Sequence, residues 1–187
     1  DLAAERGLSS FDRRHTLNLF WVASTGFGRR SSSRGVHNVL LKDWTWTGGV
    51  TVRSGGPFTA SVLGNRSDAG GTGAAGSSRA DATGLPVRAG DGFLNLLAFT
   101  LPPAGRFGNA GRNTIPGPGF FAANMSLGRN ISLGESRRSL ELRAEANNVF
   151  NSVSITRIGT TVNSSSYGLA TDAGNMRTVT LNMRLRF

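Results

Sequence analysis

The cleanest pattern of apolar and polar positions lies at the C-terminus. From Thr178 to Phe187, the side chains of Val179, Leu181, Met183, Leu185 and Phe187 fall on one side of an extended chain. Thr178, Thr180, Asn182, Arg184 and Arg186 fall on the other. Unbroken period-two alternation predicts a strand with one apolar and one polar face. Four earlier segments repeat it. Leu140, Leu142, Ala144 and Ala146 alternate with Glu141, Arg143, Glu145 and Asn147, and Phe121, Ala123, Met125 and Leu127 alternate with Ala122, Asn124, Ser126 and Gly128. Trp44, Trp46, Gly48, Val50 and Val52 alternate with Thr45, Thr47, Gly49, Thr51 and Arg53. Leu17, Leu19, Trp21 and Ala23 alternate with Thr16, Asn18, Phe20 and Val22, where the polar side is poorest.

A tilted strand of about 9–11 residues crosses a bilayer. Arginines on the polar side of the last strand suit a water-filled lumen and not a dry sandwich core. A soluble antiparallel sheet with one wet face also accommodates them, so this strand alone leaves both readings open. Glu141, Arg143 and Glu145 alternate in sign and, with Arg184, are expected to face a lumen as a charge-balancing wall. Trp21, Trp44 and Trp46 are candidate interface aromatics, with ordinary side-chain packing as the alternative.

The connections sort by length. Gly134–Arg138 is a short polar turn and Gly26–Lys42 is intermediate, whereas 55–118 and 151–175 are long and rich in Gly, Ser and Asn. Short turns on one side and long loops on the other are the pattern of a bacterial outer-membrane barrel, which makes the two long links extracellular loops. Within the first, short strands are expected near Phe58–Leu63 and Phe93–Phe99, and Asp68–Gly84 reads as a mobile low-complexity tip. The expected fold is thus all-β: an antiparallel, up-and-down transmembrane β-barrel segment with about five long membrane strands plus loop strands. Single-chain barrels start at about eight strands, and an open sheet in lipid leaves backbone groups unpaired. The stretch 1–187 therefore reads as the C-terminal part of a larger barrel, with no leader visible in Asp1–Arg6.

Composition supports strands and loops: there are 26 glycines, and 17% of residues are charged, without the Ala/Leu/Glu/Lys runs of helices. The net charge of +10 is carried by arginine, Lys42 being the only lysine. The arginines are scattered (Arg13-Arg14, Arg29-Arg30, Arg137-Arg138) without a stripe or interleaved aromatics, so no nucleic-acid partner is expected. The absence of cysteine excludes a disulfide framework, a thiolate metal site and a Cys nucleophile. The most apolar runs, Val36–Leu41 and Phe93–Leu101, are far shorter than the roughly 18–20 residues of a membrane helix. His15 and His37 have no partner at metal-ligand or triad spacing. Gly108–Asn113 lacks the Lys-Ser/Thr ending of a phosphate loop. No catalytic residue, metal or cofactor is expected, and the chain does not read as an enzyme.

Several stretches carry a resemblance, in order along the chain: Phe11-Asp12-Arg13-Arg14-His15, Gly48–Thr59, Phe107–Phe120, Leu142–Asn151 and Leu185-Arg186-Phe187. Together they resemble the barrel of Oar-like TonB-dependent receptors, which carry a carboxypeptidase-regulatory-like N-terminal domain. Gly128-Arg129-Asn130 and Leu96-Leu97 depart from the family pattern. The resemblance implies a barrel of about twenty-two strands around a plug, with uptake of a scarce nutrient driven by TonB through a plug domain missing here. It also implies that Val179, Leu181, Met183, Leu185 and Phe187 form the signal read by the outer-membrane insertion machinery. The expected location is the outer membrane of a Gram-negative bacterium. Its partners there would be the lipid bilayer and, through arginine-rich loops, lipopolysaccharide. Two alternatives stay open: a non-transporting surface or adhesion barrel, and a soluble all-β binding module. The sequence assigns no ligand-binding residue.

Overall fold

The structure is a computed structural model and describes residues 5–25, 42–64, 66, 78–88, 90, 92–134 and 138–187. Among these residues there are thirteen strands and no helix. In chain order they are β1 (Thr16–Ser24), β2 (Trp44–Arg53), β3 (Pro57–Phe58), β4 (Ser61–Val62), β5 (Ser78–Arg79), β6 (Asp81–Ala82) and β7 (Phe99–Thr100). There follow β8 (Ile115–Pro116), β9 (Phe120–Ser132), β10 (Ser139–Asn147), β11 (Ile155–Ile158), β12 (Ala170–Ala173) and β13 (Thr178–Arg186). The five long strands coincide with the five alternating segments of the sequence. They form one sheet in the order β1-β2-β9-β10-β13.

The chain divides into two compact units. One comprises Leu17–Val52, Phe121–Val153 and Asn175–Phe187, which hold most of the long sheet; the other comprises Asp1–Thr16, Arg53–Phe120 and Ser154–Gly174.

In the sheet unit, β10 pairs antiparallel with β13 without a shift from Ser139↔Arg186 to Asn147↔Thr178, and with β9 from Ser139↔Ser132 to Ala146↔Met125. The Asn130 amide donates to the Asp43 carbonyl at 3.3 Å, and Thr47 Oγ1 donates to Ser126 Oγ at 3.2 Å, which sets β9 against β2. The Thr25 amide donates to Trp44 O at 2.9 Å and sets β1 against β2. Gly48 and Gly49 have a steric cause. A Cβ on Gly48 would meet the Trp21 ring at 2.2 Å, and one on Gly49 would meet Phe20 at 2.8 Å. Each aromatic of β1 lies over a glycine of β2, one on either face, so Phe20 takes space on the nominally polar side. Left-handed Asn148 and Asn151 (φ 50° and 52°) tie the strand ends together. Asn148 Nδ2 donates to Ser152 O and Asn175 O, its amide donates to Asn124 Oδ1, and the Arg177 amide donates to Asn151 Oδ1.

The second unit is where the two expected loops fall, and it is not irregular. It buries Ala60, Val62, Ala80, Leu94, Ala98, Phe99, Ala110, Ile115 and Ile158 in one core. Short antiparallel pairs β3-β8, β4-β5, β6-β7 and β11-β12 surround it. The links 55–118 and 151–175 are bonded to each other. The Ser61 amide donates to Thr160 O at 3.0 Å, the Val162 amide to Ser61 O at 2.9 Å, and the Leu63 amide to Asn163 Oδ1 at 2.7 Å.

The stretch Phe107–Phe120 is the clamp of this core. A Cβ on Gly108 would stand 2.1 Å from Arg79 O, so only glycine lets the two backbones meet. The Asn109 amide donates to Asp81 Oδ1, whose carboxylate also pairs with Arg106, and the Ala82 amide donates to Asn109 Oδ1. Asn113, buried at φ 56°, exchanges hydrogen bonds with Thr59 and donates to Leu8 O.

Two expectations are corrected here. The strand expected near Phe93–Phe99 is a set of turns, joined to β7 only at Phe99. Asn95 holds them by donating from Nδ2 to Pro86 O and accepting the Leu97 amide, which directs Leu94 and Ala98 into the core. Of the expected tip Asp68–Gly84, residues 68–77 lie outside the described residues. The remainder forms β5 and β6 and buries Ala80 and Asp81. In the link Gly134–Arg138, residues 135–137 also lie outside, as do Val36–Leu41 and most of Gly26–Lys42.

Replacing Asn113 with Ala removes buried hydrogen bonds and puts at φ 56° a residue that tolerates the left-handed region less well than Asn. The expected loss is about 2–3 kcal/mol of stability in this unit. Amide exchange should accelerate at 78–82 and 110–115 and stay unchanged at 140–146.

Candidate functional site

Register turns five separate alternations into two faces. On β10 and β13, Leu140, Leu142, Ala144 and Ala146 stand opposite Leu185, Met183, Leu181 and Val179. On β9, Ile131, Leu127 and Met125 stand opposite Leu140, Ala144 and Ala146. Trp46, Val50 and Val52 of β2 and Leu17, Leu19 and Trp21 of β1 continue the same side by alternation.

Among the described residues, much of this apolar face is open. Val179, Leu181 and Met183 are 62%, 79% and 76% exposed, and Leu185 and Phe187 are exposed as well. Among the described residues of the sheet, Ala123 is the one fully buried hydrophobic. Burying a large aliphatic side chain is worth about 1.5–3 kcal/mol, so leaving the β13 row in water forfeits up to about 10 kcal/mol. That rivals the net stability of a whole domain, and the face therefore needs an apolar medium.

The opposite face carries the charged residues singled out in the sequence. Glu141, Arg143 and Glu145 stand opposite Arg184, Asn182 and Thr180. Arg143 Nε lies 2.8 Å from Glu145 Oε1 and donates to Ser126 Oγ at 3.3 Å. Glu141 Oε2 pairs at 3.4 Å with Arg186 Nη2, and not with Arg184 directly across from it. The sequence places Arg186 on this polar row, but alternation alone does not single it out as the partner of Glu141. These partly exposed pairs contribute about 0–1 kcal/mol each, so they neutralise the wall more than they hold it together.

The three tryptophans share the apolar side. Trp21 and Trp46 meet edge to face with centroids 5.7 Å apart. Trp21 packs over Gly48, and its Nε1 is buried without a hydrogen-bond partner, whereas Trp46 is exposed. Trp44 lies under the Arg129 guanidinium, 5.3 Å from the ring centroid. Arg129 was missed because the alternation was followed only to Leu127. The strand runs on to Ser132 and places Arg129 on the apolar side, opposite Leu142. An arginine on a lipid face costs about 2–4 kcal/mol at the bilayer midplane and about 0–1 near the interface. Arg129 stands three residues from the end of its strand, where that cost is small. A second aromatic pair, Phe121 and Phe150 at 6.1 Å, was also passed over.

His15 lies just before β1 and its amide donates to Ser54 Oγ; His37 lies outside the described residues. Among the described residues no group of three or more His, Cys, Asp or Glu could hold a metal. In the second unit, burial pushes the Tyr167 phenol above its ordinary pKa.

A family model described as "Outer membrane beta barrel domain" matches residues 1–180. The chain belongs to that family. This outer-membrane barrel domain resides in the outer membrane of Gram-negative bacteria, and the soluble-module alternative is thereby excluded. No curated protein and no solved structure matches it. Its all-β antiparallel architecture fits the family, and the five long strands do not close on themselves among the described residues.

A charge on each face should separate the two. Leu181→Arg is expected to destabilise the barrel domain by about 2–4 kcal/mol, and Thr180→Arg by less than about 1 kcal/mol. Denaturant unfolding in lipid measures both, and equal effects would refute the assignment of faces. Tyr167 is the only tyrosine of the chain, so the absorbance titration lost in Tyr167→Phe reports it alone. Its midpoint should lie above 10.0. Because the folded state favours the neutral phenol, this contribution to stability is complete below the unfolded pKa. It is lost as pH rises through the folded one.

Proposed function

We propose that this barrel domain is the C-terminal wall of a TonB-dependent outer-membrane receptor that takes up a scarce nutrient. Its apolar face meets lipid, and Glu141, Arg143, Glu145 and Arg184 face the lumen. The observation that carries the reading concerns the two long links. They connect β2 to β9 and β10 to β13 at the same end of the sheet, and their residues share one hydrophobic core. Large structured extracellular loops are what a receptor needs where substrate arrives, and plain porin-like walls do not need them. Among the described residues β1 and β13 stand at the edges of the sheet, and in this reading each pairs with a further strand, because lipid tolerates no unpaired edge.

In this reading a plug outside these residues couples to TonB. The insertion machinery reads Val179, Leu181, Met183, Leu185 and Phe187 on the exposed last strand, and arginines of the loop unit such as Arg66, Arg88 and Arg112 meet lipopolysaccharide phosphate. Trp44 and Trp46 serve as interface aromatics, whereas Trp21 packs against Gly48. The compact loop core also suits a non-transporting surface barrel, which remains the competing reading.

Growth on a panel of iron chelates, cobalamin and oligosaccharides distinguishes them. Deleting the gene of this protein and deleting tonB should abolish use of the same nutrient. A deletion without effect on uptake of any of them, or uptake independent of tonB, favours the surface barrel. Phe187→Ala is expected to reduce the heat-modifiable, inserted fraction several-fold without changing synthesis, as measured by cold gel electrophoresis.

A further inference from the structure

On the apolar side of the sheet, a shallow groove of about 410 Å³ opens where small residues of β10 leave room between larger neighbours. Ala144 and Ala146 form its floor, with Trp46, Leu127 and Val179 among the residues around them. Two residues beyond Leu127 along β9, and so about 6–7 Å away, the same face presents Arg129 over the Trp44 ring. A cation on an indole face thus stands beside an apolar trough, on a surface otherwise made of hydrocarbon. Neither feature is needed to pair the strands.

We infer that Arg129, Trp44 and this groove form a binding site for one phospholipid molecule, whose phosphate meets the guanidinium and whose acyl chain lies over Ala144 and Ala146. The inference rests on the lipid-facing reading of the apolar side. A guanidinium presents a flat fork of donors that matches phosphate oxygens in pairs, and its attraction to the Trp44 ring face keeps the charge at this spot. The chain's layout selects the lipid. Arg129 lies toward the end of β9 that leads into the short 134–138 link, at the level of the C-terminal part of β13 across the intervening β10. The short-turn end of an outer-membrane barrel faces the periplasm, where the leaflet is phospholipid; lipid A occupies the other leaflet.

The test uses the intact protein, purified in detergent and titrated with phosphatidylglycerol in native mass spectrometry. Arg129→Met should weaken the tightest lipid site about tenfold, the loss of one charge-assisted bidentate contact. Ala144→Phe, which fills the groove, should weaken it comparably, and Arg184→Met on the opposite face should not. Unchanged binding by Arg129→Met, or equal loss in Arg184→Met, overturns the site. So does tighter, Arg129-dependent binding of lipid A than of phosphatidylglycerol, or full displacement by millimolar inorganic phosphate, which marks a free-anion site. Should Arg129→Met fail the heat-modifiability check for folding, Arg129→Lys replaces it. That variant keeps the charge without the fork, and binding as tight as that of the unaltered protein overturns the site as well. Quenching of Trp46 by acyl-brominated phosphatidylcholine is read in parallel. Its absence brings down the lipid-facing reading, whereas quenching with no effect of Arg129 variants brings down only this inference.

Discussion

Backbone pairing in register is the constraint on which the rest depends. In hydrocarbon, an unpaired N–H or C=O has no water to turn to, so a membrane-crossing strand must bond along its length to its neighbours. Because side chains alternate, pairing also decides which side chains share a face, and a slip of one residue exchanges the faces. The continuous pairing of β10 with β13 and β9 leaves Glu141, Arg143 and Glu145 together on one side and Leu140, Leu142, Ala144 and Ala146 on the other. A one-residue slip of β10 would set three charges in the apolar row, at a few kcal/mol each. That penalty exceeds any gain a shifted ladder could offer, and it makes the register unique.

The chain solves the problem of its apolar side chains in two different ways. The long sheet has no interior of its own, and its large aliphatics stay exposed to whatever surrounds them. The loop unit builds a dry core from small pieces, several of them alanines: Ala60, Ala80, Ala98 and Ala110. Small residues let two-residue strands and turns approach closely, and the hydrogen bonds of Asn95, Asn109 and Asn113 replace the ladders that such short strands cannot supply. The Gly/Ala/Asn content that resembles low complexity in sequence is thus the material of a core.

This contrast explains what could be read from sequence. The five long strands and both of their faces were legible because period two persists over nine or more residues. The loop unit was not. A strand of two residues has no period, and Val62, Phe99 and Ile115, which meet in one core, are widely separated along the chain. Arg129 escaped for a related reason: one arginine in an apolar row looks like the end of a strand, and only the continued pairing to Ser132 shows otherwise. The poor polar side of β1 has its cause in Phe20, which lies over Gly49.

The excess of arginine also acquires a structural account. Arg88 donates to the carbonyls of Pro116, the last residue of the two-residue strand β8, and of Gly117 just after it, and Arg66 donates to that of Pro102. Arg53 lies 4.2 Å from the centroid of Phe120, and Arg129 lies over Trp44. Each task uses the flat, five-donor guanidinium, whose fork reaches two acceptors and whose face stacks on a ring. The compact, strongly hydrated ammonium of lysine suits none of them as well, which agrees with a chain that carries one lysine and a charge of +10. High basicity here follows from how loops without ladders satisfy their carbonyls and how charges are held against aromatic rings, and it requires no polyanionic stripe.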